Sequence, residues 1–312
     1  MPLNMWQRLK KIFLFPFKLT IWQWFYKIFR SSFGIVSVIM VIGLWSTFSY
    51  YAISYINGPA EVASDDYSDV SATGTSDTEG CNVVGINLHG DIVTYHTNDS
   101  YNDQGSLLFD QTSADEVDWA VGKAKDNPDI KAIIVDIDSY GGSGVAGEEM
   151  MRAFKESKKP VVAFIRDAGL SAAYLAATGA QTIFASKFSD VGSIGVTRSY
   201  LQETEKNKKD GLTYIDLSSG LYKDSGNPSR PLTETEKQLF MRDIKIGYEY
   251  FVNIVSQNRN LSVEKVRALG DGSSMMGEQA LKEGLIDKIG LLPDAVNYLT
   301  EKIGEEVEVC WY

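Results

Sequence analysis

The stretch that decides the fold is an apolar run, Pro160-Val161-Val162-Ala163-Phe164-Ile165, followed after five residues by Ser171-Ala172-Ala173-Tyr174-Leu175-Ala176-Ala177. The first part has the length and composition of a buried strand, and the small residues of the second favour a helix. Ser171 therefore stands at a turn from strand to helix, where backbone N–H groups can stabilise an oxyanion. Two roles are open for this serine: the cap of the helix, which is the usual role, or a nucleophile.

Strands and helices alternate on both sides of this turn. Further strands are predicted at 82–88, 131–137, 181–185 and 212–217, with a turn at His89–Asp91. Helices are predicted after the capping boxes at Ser113 and Thr233, at about 145–157, from Val263 and at 278–283. This alternation predicts an α/β fold with a parallel sheet and crossover helices. Active sites in such folds lie beyond the carboxyl ends of strands, where Gly141-Gly142 and Ser171 both stand.

Residues 33–56 contain no charged side chain over 24 positions. As a helix this segment would be roughly 36 Å long, which is enough to cross a hydrocarbon core of about 30 Å. A cleaved signal peptide is disfavoured because its apolar region would be shorter, roughly 7–15 residues. We therefore predict an uncleaved transmembrane helix.

The charges are distributed unevenly around this helix. Residues 1–60 carry six basic and no acidic side chains, and the remaining chain carries 24 basic and 41 acidic ones, a net charge of −17. Because all six basic residues precede the span, we predict a cytoplasmic N-terminus and an extracytoplasmic body, in a single-pass protein of the cell (inner) membrane. The acidic body argues against nucleic acid as a partner.

The predicted domain boundaries follow from composition. Residues 1–32 form a cytoplasmic segment rich in basic and aromatic side chains, which suits either a helix on the membrane surface or a short re-entrant hairpin. Residues 57–81 form a flexible acidic linker, and 82–312 form the body. Cys81 and Cys310 flank that body, and the sequence leaves open whether they form a disulfide or two free thiols.

A nucleophilic serine needs a base, and histidine is scarce. His89 and His96 are the two histidines, and both stand near the first strand, where a turn residue is the more common role. Neither a zinc site nor a phosphate-binding glycine motif can be assembled from the residue spacing, so we expect no metal and no cofactor. This leaves lysine, which can deprotonate serine only if burial or a nearby cation lowers its pKa towards about 7–8.

Residues from about 83 to 296 resemble the signal peptide peptidase A family, the S49-type peptidases with a Ser-Lys dyad and a ClpP/crotonase-like core. The matching stretches occur in the family's order. They are Asp138–Ser143, Ser171–Tyr174, Val191–Val196, Gly220–Asp224, Pro231–Glu234, Asp271-Gly272, Gly277–Ala280 and Gly284–Asp287.

The resemblance implies a role for five residues of the body. Ser171 corresponds to the nucleophile that forms the acyl-enzyme, and Lys223 to the general base. Ser193 corresponds to the serine that orients this lysine. Gly141 and Gly142, together with the N–H of the nucleophile, would form the oxyanion hole. The resemblance also implies a homo-oligomer with active sites between protomers.

The sequence departs from the family's pattern at three positions. Tyr140 replaces the usual proline before the two glycines, and Ala172 and Ala173 replace glycines after the nucleophile. These changes concern the shape of the substrate pocket more than the dyad.

The expected function is a membrane-anchored serine endopeptidase that cleaves hydrophobic peptides such as remnant signal peptides. A close alternative is an S49-type peptidase that processes membrane proteins. A third is a catalytically silent, membrane-anchored oligomeric scaffold, which the retained Ser171–Lys223 pair disfavours.

Overall fold

The computed structural model describes residues 80–97, 100, 107 and 109–312. The predicted segments 1–32 and 33–56, and residues 57–79 of the predicted linker, lie outside the described residues. Within the described part of the chain, every helix is too short or too polar to cross a membrane.

The described residues form an α/β body around one sheet. Its strands are β1 (Val83–Val93), β2 (Gln111–Ser113), β3 (Ala132–Gly142), β4 (Val161–Leu170), β5 (Thr182–Ala185), β6 (Asp190–Gly192), β7 (Ser274–Met276), β8 (Lys288–Ile289) and β9 (Val309–Trp311). The central order is β2-β1-β3-β4-β5-β8, with β9 beside β1 and β6 beside β4. The pairs are parallel except β6 with β7. The predicted parallel sheet is confirmed.

Helices cover both faces of the sheet. They are α1 (Ala114–Asp126), α2 (Gly144–Glu156), α3 (Ala172–Ala177), α4 (Thr204–Lys209), α5 (Glu234–Arg259), α6 (Val263–Leu269), α7 (Gly277–Glu283) and α8 (Leu292–Ile303). One face packs against α1, α2 and α3. The other packs against α8, through Ala295 and Leu299. Because both faces are buried, the strands read as continuous apolar runs.

Both predicted capping boxes are present. The side chain of Ser113 accepts a hydrogen bond from the Glu116 N–H, and the carboxylate of Glu116 accepts one from the Ser113 N–H. These two bonds fix the start of α1. Thr233 and Glu236 do the same for α5. The buried residues of α1 are Ala114, Val117, Ala120, Val121 and Ala124, which form its apolar face.

The carboxyl ends of the central strands are irregular. The register between β1 and β3 shifts between His89 and Asp91, and the register between β3 and β4 shifts between Ile137 and Ser139. The predicted turn at His89–Asp91 is therefore wrong. Gly90, at φ +63°, accommodates a bulge inside β1, and the strand continues to Val93.

The predicted strand at 212–217 is also wrong. These residues are exposed, and they pair with no strand in the described part of the chain. A strand needs a hydrogen-bonded neighbour in a sheet, and the sheet of the described residues offers none to this segment.

The two ends of the body meet at β1. Strand β9 pairs with the start of β1, and sequence reasoning did not find it. Trp311 of β9 packs directly on Gly85. A Cβ on Gly85 would lie 2.4 Å from the Trp311 ring, so only glycine allows this contact. Cys81 and Cys310 form a disulfide with a Cα–Cα distance of 5.8 Å. The structure thus decides between the disulfide and the free thiols that the sequence left open.

Candidate active site

Ser171 has a backbone conformation that is rare for an L-residue. Its φ is 51° and its ψ −121°, and its hydroxyl makes no capping hydrogen bond. Ser171 thus stands at the N-cap position of α3, but its hydroxyl does not cap the helix. A conformation of this kind costs about 1–3 kcal/mol and is retained mainly at functional sites.

The turn at Ser171 is built on a close approach of Gly141. A Cβ on Gly141 would lie 2.8 Å from the Ser171 Cβ and 3.0 Å from the Leu170 carbonyl oxygen. Gly141 also has φ +109°, a region that L side chains rarely adopt. The end of β3 can reach Ser171 only because this residue has no side chain.

The backbone N–H groups around Ser171 are not equally available. The Ser171 N–H donates to the Gly192 carbonyl at 2.8 Å, so its expected place in the oxyanion hole is wrong. The Gly141 N–H donates to Ser139 Oγ at 3.1 Å. Gly142 is exposed and lines the cleft beside Ser171, so of the two glycines it is the one placed to meet a substrate.

A cleft of about 900 Å³ opens at Ser171. The start of α2, the middle of α5 and the loop 270–272 form its walls. Most of the large side chains that line it are apolar or aromatic: Val145, Leu175, Val196, Ile244, Tyr248 and Phe251. Such a lining suits an apolar segment of a peptide.

Ser193 lies in the same cleft as Ser171. It too has a positive φ, 49°. Its hydroxyl donates to the Gly272 carbonyl at 3.0 Å, and its N–H donates to the Ser273 carbonyl at 3.1 Å. These two hydrogen bonds hold Ser193 against the loop that follows α6. Its hydroxyl therefore points to that loop and not to a lysine.

Lys223 is placed differently from the other predicted residues. It is exposed in the turn Leu221–Gly226 and is not among the residues that line the cleft. Among the described residues, the lysine that lines the cleft is Lys245, on α5. One protomer therefore brings Ser171, Ser193 and Gly142 together at the cleft but leaves Lys223 outside it.

Sequence reasoning missed several residues of the cleft. Glu148 Oε1 accepts a hydrogen bond from the Tyr250 hydroxyl at 2.8 Å and so joins α2 to α5 across one wall. Ala172 opens α3, so its N–H has no acceptor within its own helix. No motif marks Glu148, Tyr250 or Lys245, because their place at the cleft depends on how α2 and α5 pack.

Comparison with known proteins places the chain in a family. Residues 153–306 match the description Peptidase family S49. A Methanocaldococcus jannaschii protein that is named as a protease is 34% identical over 214 residues, which is 66% of this chain and 68% of that protein. The chain belongs to peptidase family S49. The predicted family and the prediction of a serine-type peptidase are confirmed.

Other similarities of this S49 peptidase cover less of the matched protein or are weaker. The chloroplast serine protease SPPA of Arabidopsis thaliana is 30% identical over 192 residues, 61% of this chain but 28% of that protein. A ClpP1 mutant from Listeria monocytogenes aligns with a TM-score of 0.43 at 14% identity, over 69% of this chain and 94% of that one. A likeness of that size decides nothing about the fold, which rests on the strand order described above.

Proposed function

We propose that this S49 peptidase is a membrane-anchored serine endopeptidase in which Ser171 is the nucleophile and Lys223 the general base. Its substrates are hydrophobic peptides, with remnant signal peptides as the leading class. The observation that carries the proposal is the uncapped, strained Ser171 at the edge of an apolar cleft. Packing alone gives no reason for an L-residue to hold this conformation there.

The chemistry follows from the roles of the two side chains. The neutral amine of Lys223 takes the proton of the Ser171 hydroxyl while Oγ attacks the scissile carbonyl carbon. The tetrahedral intermediate collapses, and the leaving amine takes the proton from the lysine. Water, deprotonated by the same amine, then attacks the ester of the acyl-enzyme. The C–Oγ bond breaks, the lysine returns its proton to Ser171 Oγ, and the carboxylic acid product leaves.

Two backbone N–H groups are proposed to bind the oxyanion. Gly142 presents its backbone to the cleft, and Ala172 carries the first N–H of α3. A Cβ on Gly141 would lie 3.1 Å from the Ala172 nitrogen, so the two chain segments approach each other closely at this point. Donors fixed in this way need no reorganisation when charge develops on the carbonyl oxygen.

The proposal places Lys223 in the active site of a neighbouring protomer. Leu217 is 94% exposed and Leu201 82% exposed in the segment that leads to Lys223, and Ile215 and Leu221 are exposed as well. Apolar side chains exposed together on one segment favour association with another chain. Docking of this segment on a second copy would bring the lysine to that copy's cleft.

The proposed location rests on two features. The uncharged stretch 33–56 is the proposed anchor, and the Cys81–Cys310 disulfide suits an oxidising compartment on the outer side of the membrane. An anchor would hold the cleft near peptides that leave or remain in the bilayer.

Subunit mixing tests the proposal. Full-length Ser171→Ala and Lys223→Ala chains carrying different tags are co-expressed, purified through both tags in mild detergent and assayed on an apolar peptide. Each variant alone should be inactive. In random mixtures about one site in four should combine Ser171 from one chain with Lys223 from its neighbour, so about a quarter of the activity should return. If none returns, the dyad is not shared between protomers.

Lys245 provides the discriminating variant for the base. If Lys245→Ala abolishes cleavage while Lys223→Ala retains it, the base is the lysine that lines the cleft of the same protomer. Activity that survives Ser171→Ala contradicts the nucleophile itself. A wild-type chain that cleaves no peptide favours the scaffold.

A further inference from the structure

We infer that Arg230 is a positioning residue for Lys223, because it fastens the turn that carries this lysine to the start of α5. The inference rests on the proposed function, in which Lys223 is the base. Arg230 lies seven positions after Lys223 in the sequence and does not line the cleft. It would therefore act through the lysine rather than on the substrate.

Arg230 holds the residue next to Lys223 by both its side chain and its backbone. Its Nε donates to Asp224 Oδ2 at 3.0 Å, and its Nη2 donates to the Asp224 carbonyl oxygen at 2.8 Å. A contact to the carbonyl constrains the path of the main chain itself. Motion of the turn relative to Arg230 would have to break both bonds.

The other side of the guanidinium is bound to α5. Nη1 donates to Glu236 Oε2 at 3.0 Å and Nη2 donates to Glu236 Oε1 at 2.6 Å, the two-point geometry that favours arginine. Glu236 is 2% exposed and accepts from the Thr233 N–H at 2.8 Å in the capping box of α5. Arg230 thus joins the lysine-bearing turn to a fixed point of the helix.

The remaining oxygen of Asp224 is held from the other direction. The Tyr214 hydroxyl donates to Asp224 Oδ1 at 2.9 Å, and Asn227 Nδ2 donates to the same oxygen at 3.0 Å. With Arg230 on Oδ2, both carboxylate oxygens are engaged. Leu221, Tyr222 and Lys223 are exposed, so the part of the turn that carries the lysine depends on these polar contacts.

The helix to which Arg230 fastens the turn is itself anchored in the core of its protomer. Ile244 lies eight residues after Glu236 on α5, which corresponds to about 12 Å along the helix axis. It lines the cleft with Phe251, and Phe251 is anchored in the core. In catalysis a misplacement of about 1 Å can cost about 100-fold in rate, so a turn that loses this link should lose activity before it loses its fold.

The first test compares full-length Arg230→Gln, Arg230→Lys and wild-type enzyme. Arg230→Gln should lower kcat about 10- to 100-fold and leave KM within about 3-fold, because substrate binding uses other residues. In this variant the acid limb of the pH–rate profile should move to higher pH. The Lys223 amine would spend more time in water, and a solvated amine keeps its proton up to a higher pH. Arg230→Lys keeps the charge but not the two-point contacts, so its kcat should be intermediate.

Arg242→Gln is the matched control. Arg242 lies on α5, the helix that carries Glu236. It is exposed and pairs with the adjacent Asp243. Its loss should leave kcat and the pH profile unchanged. If Arg230→Gln is too unstable to assay because Glu236 is left buried and unpaired, Arg230→Gln/Glu236→Gln removes that charge and should show the same loss of kcat.

The decisive test places Arg230→Gln on one partner of the mixed oligomers. On the Ser171→Ala chain, which supplies Lys223, it should lower the recovered activity about 10- to 100-fold, and on the Lys223→Ala chain it should have little effect. Equal loss in both placements, or no loss in either, overturns the inference. If the mixture recovers no activity, the kcat and pH profile of the single variant decide. Cleavage that survives Lys223→Ala refutes the proposed function instead.

Discussion

The Cβ of Ser171 lies 2.8 Å from the position that a Cβ on Gly141 would occupy. This distance is shorter than any ordinary contact between two such carbons. Gly141→Ala must therefore push β3 and the serine turn apart, at a φ of +109° that also strains alanine. We expect a loss of stability of about 1–3 kcal/mol and a loss of peptide cleavage of at least about 100-fold, measured by urea unfolding and by kcat/KM.

Gly122→Ala is the control for that substitution. Gly122 lies in the interior of α1, has nothing within 4 Å of its Cβ position and has no positive φ. Alanine there should leave cleavage unchanged and raise stability by about 0.5–1 kcal/mol. Full activity in Gly141→Ala would show that the serine turn tolerates displacement and would weaken its assignment as the reacting centre.

The strain at Ser171 predicts a difference between two inactive variants. Ser171→Gly can adopt φ 51° and ψ −121° without steric cost, whereas Ser171→Ala cannot. Both should lose cleavage because neither has a hydroxyl. The glycine variant should unfold at a higher urea concentration, with a stability about 1 kcal/mol above that of the alanine variant.

A serine that merely caps α3 would give a different result. Loss of a cap to alanine costs about 0.5–2 kcal/mol and loss to glycine only a few tenths, and wild type would then be the most stable of the three chains. If Ser171→Gly equals or exceeds wild type in urea unfolding, the strain is real and has been retained for another reason.

The layout of the fold could be predicted because it is written in local patterns. The buried strands at β3, β4 and β5 read as apolar runs, and the capping boxes at Ser113 and Thr233 mark where α1 and α5 begin. Strand β9 could not be predicted in this way. Its three residues are held by β1, by Trp311 against Gly85 and by a disulfide, all of which depend on chain closure.

The predicted site residues divide along the same line. Gly142 ends β3 and Ser171 directly follows β4, and these strands are neighbours in one sheet, so the topology places the two residues together. Lys223 belongs to a segment that pairs with no strand among the described residues and lies outside the cleft of its own protomer, so its place in an active site depends on the proposed contact with a second chain. The residues of α5 that line the cleft have no motif at all, because a helix shows in sequence which face is apolar but not what that face packs on.

The Arg230–Glu236 pair predicts how stability depends on pH. The hydrogen bonds from Arg230, and next that from the Thr233 N–H, hold the pKa of the Glu236 carboxyl well below its ordinary value of 4.5. An unfolded chain takes up this proton as the pH falls through about 4.5 while the folded chain does not, so the stabilisation is complete above that pH and is lost below it. Urea unfolding at pH 6, 5, 4 and 3 should show that the free energy of unfolding falls more steeply with pH for wild type than for Glu236→Gln. The difference in slope should correspond to the uptake of about one proton on unfolding.

Glu234→Gln is the control for this titration. Glu234 starts the same helix, but its side chain is exposed and lies 3.6 Å from Lys237 in a surface pair. Its substitution should leave the wild-type slope between pH 5 and 3 essentially unchanged, because exposed pairs contribute little. If stability falls with pH equally in wild type and in Glu236→Gln, the hydrogen bonds between Arg230 and Glu236 do not persist in solution.

Because of the Cys81–Cys310 disulfide, we expect that reduction lowers the stability of the body but leaves the geometry of the active site unchanged. It closes a loop with a sequence separation of 229, and such a cross-link restricts the unfolded chain, so reduction should cost about 2–5 kcal/mol. Strand β9 retains other bonds to the body, such as that from the Glu308 N–H to Asn82 Oδ1 at 2.9 Å. Reduced enzyme should therefore unfold at lower urea but keep its kcat at 25 °C, and Cys81→Ser/Cys310→Ser should behave the same with and without reductant. A reductant effect that persists in that double variant would have to arise elsewhere, since these are the two cysteines of the chain.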